Sequence, residues 1–144
     1  VVNDEWIFFS NYNSAKSKSF KLHPQISAVF YWKKINTQIR IKAKIYKTSE
    51  EFSDKHFASR STEKNALAIS SNQSRPADSF DDIKAKYLAT LDNKNLLQNR
   101  PSYWGGYSFK PYSFEFWTGN DFRLNKRSLY QKNKENWDYY LLEP

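Results

Sequence analysis

Three short motifs between residues 104 and 127 combine residue types that could hold a planar, charged ligand. Trp104-Gly105-Gly106-Tyr107 comes first, Glu115-Phe116-Trp117 follows, and Arg123 and Arg127 close the block. Two adjacent glycines between aromatic residues indicate a sharp turn of the backbone or the close approach of a flat ring. Arg123 and Arg127 are an even number of residues apart, so they share one face of any extended segment. Arginine binds phosphate through its fork of N–H donors and stacks on rings, which suits a planar, phosphorylated ligand.

Length and composition limit what these motifs can belong to. The chain has 144 residues and a mass of 17.2 kDa, which predicts a single domain over residues 1–144 with one core. Aromatic residues make up 18% of the chain, and they favour strands and stacking surfaces over an aliphatic helical bundle. Since the chain starts at Val1 and contains no methionine, we expect its N-terminus to be processed or truncated.

The composition also excludes several classes of site. The chain has no cysteine, which rules out disulfides, thiolate metal sites and cysteine nucleophiles and fits a cytoplasmic protein. Its two histidines, His23 and His56, are too few and too far apart to suggest zinc, so we predict no metal. No run approaches about 18 apolar residues and no signal peptide opens the chain, so we expect a soluble protein that crosses no membrane.

The formal net charge of +8 raises the alternative of a nucleic-acid-binding protein. The lysines, however, occur in ones and twos along the chain and form no long basic run. Charge alone carries no site information, and dispersed lysines are typical of a solvated surface. We therefore expect no nucleic-acid partner.

Apolar periodicity and capping residues predict short strands joined by helical excursions. Strands are expected at 5–10, 26–32, 37–46, 107–109, 113–117, 128–132 and 137–141. Helices are expected from the cap Ser14 to before Pro24 and at 49–60, 65–70 and 79–91. Segment 37–46 alternates apolar and polar residues as a half-buried strand does, whereas 26–32 is expected to be buried. The order lacks a βαβ rhythm, which predicts a mainly antiparallel barrel with helices outside.

Taken in order, the motifs resemble the pyridoxamine (pyridoxine) 5′-phosphate oxidase family of FMN enzymes. The resemblance covers nearly the whole chain and depends on the motifs together: Ser10-Asn11-Tyr12-Asn13-Ser14-Ala15-Lys16, Gln38, Ser71-Asn72-Gln73-Ser74, Tyr103-Trp104-Gly105-Gly106-Tyr107, Glu115-Phe116-Trp117 and Arg123-Leu124-Asn125-Lys126-Arg127. It implies a mainly β fold with peripheral helices, an antiparallel split β-barrel, and a homodimer with FMN held between subunits. A family strand Arg-x-Val-Leu-Leu-Lys, which supplies an FMN-phosphate arginine and a substrate-phosphate lysine, would precede residue 1. The first strands are therefore expected to be missing from this chain.

The resemblance also implies which residues contact FMN. Carried over one by one, these cofactor-binding residues are Phe9, Ser10, Lys16, Gln38, Gln73, Ser74, Trp117 and Arg127. Lysine and a serine hydroxyl suit a phosphate, and glutamine side chains can bond the polar edge of a flavin. Considered singly, Trp117 would be a core aromatic residue and Gln38 a solvent-facing strand residue. The functional interpretation therefore depends on the joint order of the residues.

The substrate positions match the family less closely. The implied substrate-binding residues are His56, Arg60, Lys64, Arg123 and Asn125, and the implied catalytic residues are Arg123 and Asn125. His56 stands where the family has tyrosine, Lys64 where it has serine, and Asn125 where it has histidine. In addition, Ala15 replaces a family arginine that contacts the FMN phosphate. The chain is thus expected to be either a fragment or a family member with a weakened site.

Three functions follow, and they belong to different classes. The first is an FMN-dependent oxidase that uses oxygen to convert pyridoxamine or pyridoxine 5′-phosphate, the small-molecule substrate, to pyridoxal 5′-phosphate. The second is a split-barrel protein that binds a flavin without this oxidase activity. The third, which the dispersed charge disfavours, is a basic barrel that binds single-stranded nucleic acid by stacking.

Overall fold

A computed structural model describes residues 4–144, which form six strands, five α-helices and two short 3₁₀ turns. The strands are β1 Trp6–Asn11, β2 Gln25–Trp32, β3 Thr37–Lys47, β4 Trp104–Thr118, β5 Lys126–Asn133 and β6 Asn136–Leu142. The helices are α1 Ala15–Leu22, α2 Glu50–Ala58, α3 Thr62–Ser70, α4 Phe80–Asp92 and α5 Lys94–Leu97. The 3₁₀ turns are Lys33–Ile35 and Asp121–Arg123.

The strands form a mainly antiparallel sheet. Its order is β2-β3-β4-β5-β6, and β1 also pairs with β4. β2 runs antiparallel to β3 with Phe30 opposite Ile39, and β4 runs antiparallel to β5 with Trp117 opposite Arg127. β5 and β6 form a hairpin in which Asn133 faces Asn136. The predicted class, mainly antiparallel β with added helices, is confirmed.

The chain divides into two compact units, and each is described separately. The helical unit consists of Ile7–Leu22 and Tyr46–Ser108. The sheet unit consists of residues 4–6, His23–Ile45 and Phe109–Pro144. The assignment of residues 1–144 to one domain stays a prediction.

The helical unit has an aromatic core under its helices. Buried Phe57, Ala68 and Trp104 form the cluster, and Phe9 and Tyr103 pack against it. Helix α2 begins at its cap Ser49, whose side chain accepts a hydrogen bond from the Phe52 N–H, and α4 is capped in the same way by Ser79. These caps confirm the predicted helix starts.

The glycine pair lies in strand β4 and does not make a turn. No glycine among residues 4–144 has a positive φ, so the pair does not serve to allow a left-handed backbone conformation. A Cβ on Gly105 would collide with the Tyr12 side chain, and one on Gly106 with the Thr48 side chain, whose Cγ2 would lie 2.9 Å away. The pair therefore lets neighbouring side chains approach the backbone closely, the second of the two predicted roles.

The sheet unit is built around β3. Ile39, Ile41, Ala43 and Ile45 are buried, and the polar residues between them are mostly exposed. This confirms the half-buried strand at 37–46. The Trp6 ring packs 5.8 Å from Phe30 and 6.0 Å from Phe109, measured between ring centroids.

Three of the predicted strands and helices differ from the structure in burial or bounds. The strand predicted at 26–32 exists, but its residues are largely exposed, because β2 lies at the end of the sheet. The two strands predicted at 107–109 and 113–117 form one strand, β4, that continues through Pro111. The β4–β5 ladder begins only at Ser113, so the missing N–H of proline interrupts no bond in that ladder. Helix α3 begins at Thr62, earlier than the predicted 65.

Arg123 and Arg127 do not share an extended segment. Arg123 lies in the 3₁₀ turn Asp121–Arg123, where Phe122 and Arg123 have φ values of 54° and 62°. β5 begins only at Lys126, so the even spacing of the two arginines does not set a common face. The prediction of a shared face fails because side chains alternate between two faces only where the backbone is extended.

Two classes of feature are not found within residues 4–144. None of the described helices has the length and apolar character needed to cross a membrane. Nor does the described part of the chain gather three or more metal-binding side chains at one place.

Candidate functional site

A cluster of polar side chains joins β1 to helix α1 in the helical unit. The Lys16 ammonium donates to the Ser10 hydroxyl at 3.3 Å, and that hydroxyl donates to Gln73 Oε1 at 3.2 Å. Lys16 lies in the first turn of α1, whose N-terminus is capped by Ser14 through the Ser17 N–H. The single Ser10 O–H is used by Gln73, whereas the Lys16 ammonium keeps further N–H donors, which are the donors that a phosphate binds.

A tight turn brings Gln73 back to β1. The turn is closed by a 3.0 Å bond from the Arg75 N–H to the Asn72 carbonyl, and Ser74 within it has a φ of 69°. Gln73 Oε1 accepts from Ser10 and from the Asn11 N–H, so the Gln73 amide NH₂ is the group left to bind a ligand. A left-handed backbone at a serine costs about 1 kcal/mol or more, and such strain is concentrated at functional sites.

An aromatic stack lies beside this cluster. The His56 ring stacks on Phe9 at 3.6 Å with an interplanar angle of 8°, and Phe9 stacks in turn on Trp104 at 5.3 Å. The Arg60 guanidinium lies 4.4 Å above the Trp104 ring and donates to Asn65 Oδ1 at 3.2 Å. These contacts fix both His56 and Arg60 against a rigid aromatic surface.

A cavity of about 220 Å³ opens between the polar cluster and the stack. Its lining includes three predicted cofactor residues, Phe9, Ser10 and Gln73. It also includes two predicted substrate residues, Arg60 and Lys64. The structure thus brings together, in one cavity of the helical unit, residues that the sequence separates by more than 60 positions.

Sequence reasoning missed a second cavity in the same unit. It measures about 430 Å³ and shares Asn11 and Gln73 with the first, and its lining also includes Lys18, Arg75 and Tyr103. Asn11 and Tyr103 belong to motifs that the sequence did single out. The two cations Lys18 and Arg75 gave no local signal, because each is an ordinary surface residue by its spacing.

Burial and one neighbouring charge lower the pKa of His56. Burial lowers the pKa of His56 below 6.5, and the neighbouring Arg60 lowers it further. Burial also lowers the pKa of Arg60. His56 is consequently a neutral imidazole at neutral pH, and the fixed positive charges of this cavity come from Arg60 and Lys64.

The remaining predicted cofactor residues form a separate group in the sheet unit. Arg127 Nε donates to Glu115 Oε1 at 2.8 Å, and Arg40 Nη1 donates to the same oxygen at 3.1 Å. Arg40 Nε donates to Gln38 Oε1 at 2.6 Å. Trp117 lies directly opposite Arg127 in the β4–β5 register. Gln38, Trp117 and Arg127 are therefore brought together on neighbouring strands.

Glu115 and Arg40 hold this group in place, and the sequence assigned neither of them a role in the site. The hydrogen bond from Arg127 lowers the pKa of Glu115, and the charges of Arg127 and Arg40 lower it further against the effect of burial. Arg40 follows Gln38 by two residues on β3, so period-2 alternation could have placed it on the same face. No local pattern could have paired Arg40 with Glu115, which is 75 residues away.

The turn between β4 and β5 carries Arg123 and Asn125. Asn125 Oδ1 accepts from the Asn120 N–H at 3.2 Å, and the Asn125 N–H donates to the Arg123 carbonyl at 2.7 Å. The Gly119 N–H donates to the Asn36 carbonyl, and the Asn36 side-chain amide donates to the Gly119 carbonyl. The Asn125 side chain therefore helps to hold the turn that presents Arg123.

Each predicted site residue belongs to one of the two units. Phe9, Ser10, Lys16, His56, Arg60, Lys64, Gln73 and Ser74 lie in the helical unit. Gln38, Trp117, Arg123, Asn125 and Arg127 lie in the sheet unit. The free donors fit a flavin phosphate at Lys16, and they fit the polar edge of a ring at Gln38 and Arg127.

Comparison with known sequences finds a matching family model and several similar oxidases that share one name. The family model for the pyridoxine 5′-phosphate oxidase C-terminal dimerisation region matches residues 104–144. The pyridoxine/pyridoxamine 5′-phosphate oxidase of Haemophilus influenzae is 35% identical over 144 residues, which cover 99% of this chain and 69% of the relative. The relative of the same name from Burkholderia lata is 38% identical over 142 residues, covering 96% of this chain and 66% of its own length. Relatives from Rubrobacter xylanophilus and Idiomarina loihiensis are covered over 64% and 65% of their lengths, so the chain spans slightly less than two thirds of several relatives.

Comparison with solved structures supports the fold. PhzG from Burkholderia lata, solved in complex with tetrahydrophenazine-1-carboxylic acid, superposes with a TM-score of 0.83 at 26% identity, covering 96% of this chain and 68% of PhzG. A pyridoxamine 5′-phosphate oxidase-related, FMN-binding protein from Nostoc punctiforme superposes with a TM-score of 0.71 at 12% identity, covering 97% of this chain and 72% of that protein. At 12% identity, the similarity to the Nostoc punctiforme protein supports the fold alone. Together with the observed sheet, these structures confirm the predicted split-barrel fold.

Proposed function

Because the chain belongs to the pyridoxine/pyridoxamine 5′-phosphate oxidase family, we propose that the full-length protein is an FMN-dependent oxidase of B6 phosphates. Its proposed substrates are pyridoxamine and pyridoxine 5′-phosphate, its product is pyridoxal 5′-phosphate, and oxygen is the final electron acceptor. When bound, FMN would supply a two-electron acceptor that oxygen can reoxidise. The observation that carries the proposal is the 220 Å³ cavity, where Arg60 and Lys64 face the same space as Phe9, Ser10 and Gln73.

The residues of the helical unit divide into two proposed roles. Lys16 and Ser74 would bind the FMN phosphate through ammonium and hydroxyl donors, and Ser10 would hold the Lys16 ammonium in place. Arg60 and Lys64 would bind the substrate phosphate, and the Trp104 ring beneath Arg60 keeps its guanidinium in a fixed orientation. Two full positive charges at this position favour a phosphorylated substrate over its dephosphorylated form.

The residues of the sheet unit would contact the ring system and the reacting carbon. We assign Gln38, Trp117 and Arg127 to the flavin ring and Arg123 to the substrate. The strained turn at Phe122 and Arg123 is consistent with a functional position, because positive φ values at two consecutive non-glycine residues persist only where the surroundings enforce them.

We propose further that the protein is a cytoplasmic homodimer with FMN held between its subunits. The match of residues 104–144 to a dimerisation region supports this. So does an open, mainly apolar cavity of about 620 Å³ in the sheet unit, whose lining includes Phe114, Phe116 and Trp137. β2 adds further exposed aromatic residues to the same unit, among them Tyr31 and Trp32. Exposed apolar surface of this kind is typical of an interface.

A second candidate function is a flavin oxidase for a different substrate. Two observations favour it: Asn125 stands at an expected histidine position with its side-chain oxygen already bonded to Asn120, and the chain superposes well on PhzG. An amide cannot carry the proton or the charge that an imidazole carries. Under this candidate, oxidation of pyridoxamine 5′-phosphate would be slow.

The decisive experiment is purification and assay of the full-length protein. The proposal predicts a yellow dimer that contains FMN and turns over pyridoxamine and pyridoxine 5′-phosphates with consumption of oxygen. Arg123→Ala should lose turnover, and Lys84→Ala, which changes an exposed residue of α4, should not. A colourless monomer that takes up no added FMN would overturn the proposal. A yellow dimer whose weak activity rises in Asn125→His would instead favour the second candidate.

A further inference from the structure

The hydrogen bonds around Gln38 determine which end of its amide faces a ligand. Arg40 Nε lies 2.6 Å from Gln38 Oε1. Arginine has only N–H donors, so the atom of Gln38 that faces Arg40 must be the acceptor oxygen. The amide NH₂ of Gln38 consequently points away from Arg40, and it can only donate.

A second contact keeps Arg40 from moving away. Its Nη1 donates to Glu115 Oε1 at 3.1 Å, and the same oxygen accepts from Arg127 Nε at 2.8 Å. The Glu115 side chain is only 15% exposed, whereas that of Arg40 is 44% exposed. A mostly buried carboxylate between two guanidinium groups holds both of them, and it leaves one net positive charge on the three residues.

We propose that Arg40 is a positioning residue that fixes Gln38 as a hydrogen-bond donor to an acceptor atom of the flavin ring. This inference rests on the proposed function, since it takes FMN as the ligand of Gln38. A flavin ring offers carbonyl oxygens and ring nitrogens as acceptors and a single ring N–H as donor. With its oxygen occupied, Gln38 pairs with the acceptors and not with the ring N–H.

The same arrangement orients Arg127. Its Nε is bonded to Glu115 and its Nη1 to the Glu143 carbonyl at 3.0 Å. Within residues 4–144, Nη2 of Arg127 has no protein partner, so that nitrogen is the part of the fork offered to a ligand. Gln38 and Arg127 thus both present donors, which suits the electron-rich edge of a flavin.

The test compares FMN affinity among variants of the full-length apoprotein, measured by quenching of FMN fluorescence. If Gln38 donates, Gln38→Glu replaces the donor by a carboxylate, and the affinity for FMN should fall at least about 10-fold. This loss should be at least as large as the loss in Gln38→Ala. If Gln38 accepts, Gln38→Glu keeps the acceptor and its affinity should stay near that of the wild type. The second result would overturn the inference.

A double-mutant cycle tests whether Arg40 acts through Gln38. Arg40→Met should weaken FMN binding roughly 3- to 10-fold, and it should cause no further loss in the Gln38→Ala background. Arg40→Lys, which can still donate to Gln38 Oε1, should restore part of the affinity. The flavin absorption maximum should shift in Arg40→Met and not in the control Lys132→Ala, which changes an exposed residue of β5. Additive losses would show that Arg40 acts independently of Gln38 and would overturn the inference.

The outcomes separate this inference from the proposed function. A wild-type protein that binds no FMN would overturn both. A wild-type protein that binds FMN, with Gln38→Glu binding equally well, would overturn only the assignment of Arg40 and Gln38. Melting temperatures of the apoproteins should agree within about 2 °C, because these exposed or half-exposed side chains contribute little to the core.

Discussion

Two ionic clusters, one in each unit, contain the same residue types in opposite proportions. In the helical unit, one arginine, Arg100, is shared by Glu50 and Asp54, and it also donates to the Trp104 carbonyl. In the sheet unit, one carboxylate, Glu115, is shared by two arginines. The first cluster carries a net negative charge and the second a net positive charge.

The proportions decide what each cluster can do. The Arg100 side chain is 5% exposed, and its donors are used by protein acceptors, so it contributes to structure. Arg127 is 27% exposed and, in the described part of the chain, keeps N–H groups without protein partners. An arginine whose donors are all used stabilises the fold, whereas one with donors to spare can bind an anion or a ring edge.

The largest effect is expected from removal of Arg100. Arg100→Ala leaves the Trp104 carbonyl without its donor and exposes the start of β4, so the free energy of unfolding should fall by about 2 to 3 kcal/mol. Urea denaturation of the apoprotein measures this. The matched control is Lys55→Ala, which breaks the exposed pair with Glu51 on α2 and should cost no more than about 0.5 kcal/mol. Equal losses in the two variants would show that Arg100 contributes no more to stability than an exposed ion pair does.

Removal of Arg127 should affect binding more than stability, because Arg40 still pairs with Glu115. Arg127→Ala deletes a charge-assisted donor, which is worth about 1.5 to 3 kcal/mol, so FMN affinity should fall roughly 10- to 100-fold. Titration of the apoprotein with FMN measures the affinity, with Lys132→Ala as the control on the same strand. An unchanged affinity together with a large loss of stability would place Arg127 in the same structural class as Arg100.

A smaller effect is expected from the titration of His56. Its pKa is lowered below 6.5, so the protonated fraction, and with it the extra positive charge near Arg60, is present only at acid pH. The KM for pyridoxine 5′-phosphate should therefore rise as the pH increases through the acid range below 6.5, and it should level off above that pH. His56→Gln should flatten this part of the profile. A rise confined to higher pH would show that another group is responsible.

The smallest effect is expected for nucleic acids. The surplus positive charge of the Glu115 cluster is local, and the other lysines are dispersed, so oligonucleotides should bind weakly at physiological salt. Fluorescence anisotropy with labelled single-stranded DNA at several salt concentrations measures this. Tight binding with a steep salt dependence would mean that the net charge of +8 acts as a general anion-binding surface.

Much of the local structure followed from the sequence. The alternation in β3 and the helix starts at residues 49 and 79 depend on neighbours within a few positions, and the structure shows them as predicted. The motifs, taken in their order along the chain, were also sufficient to indicate the family. These features were predictable because the interactions that produce them are local.

The placement of the site required the tertiary structure. Pairing of Arg40 with Glu115 depends on β3 and β4 being neighbours in the sheet, and stacking of His56 on Phe9 depends on how α2 packs within the helical unit. The exposure of β2 and the turn at Arg123 likewise contradicted local patterns. Periodicity shows which residues share one face of a strand or helix, but it does not show what that face packs against. Strand order and packing bring distant residues together, and they decide which donors are used within the protein and which are left for a ligand.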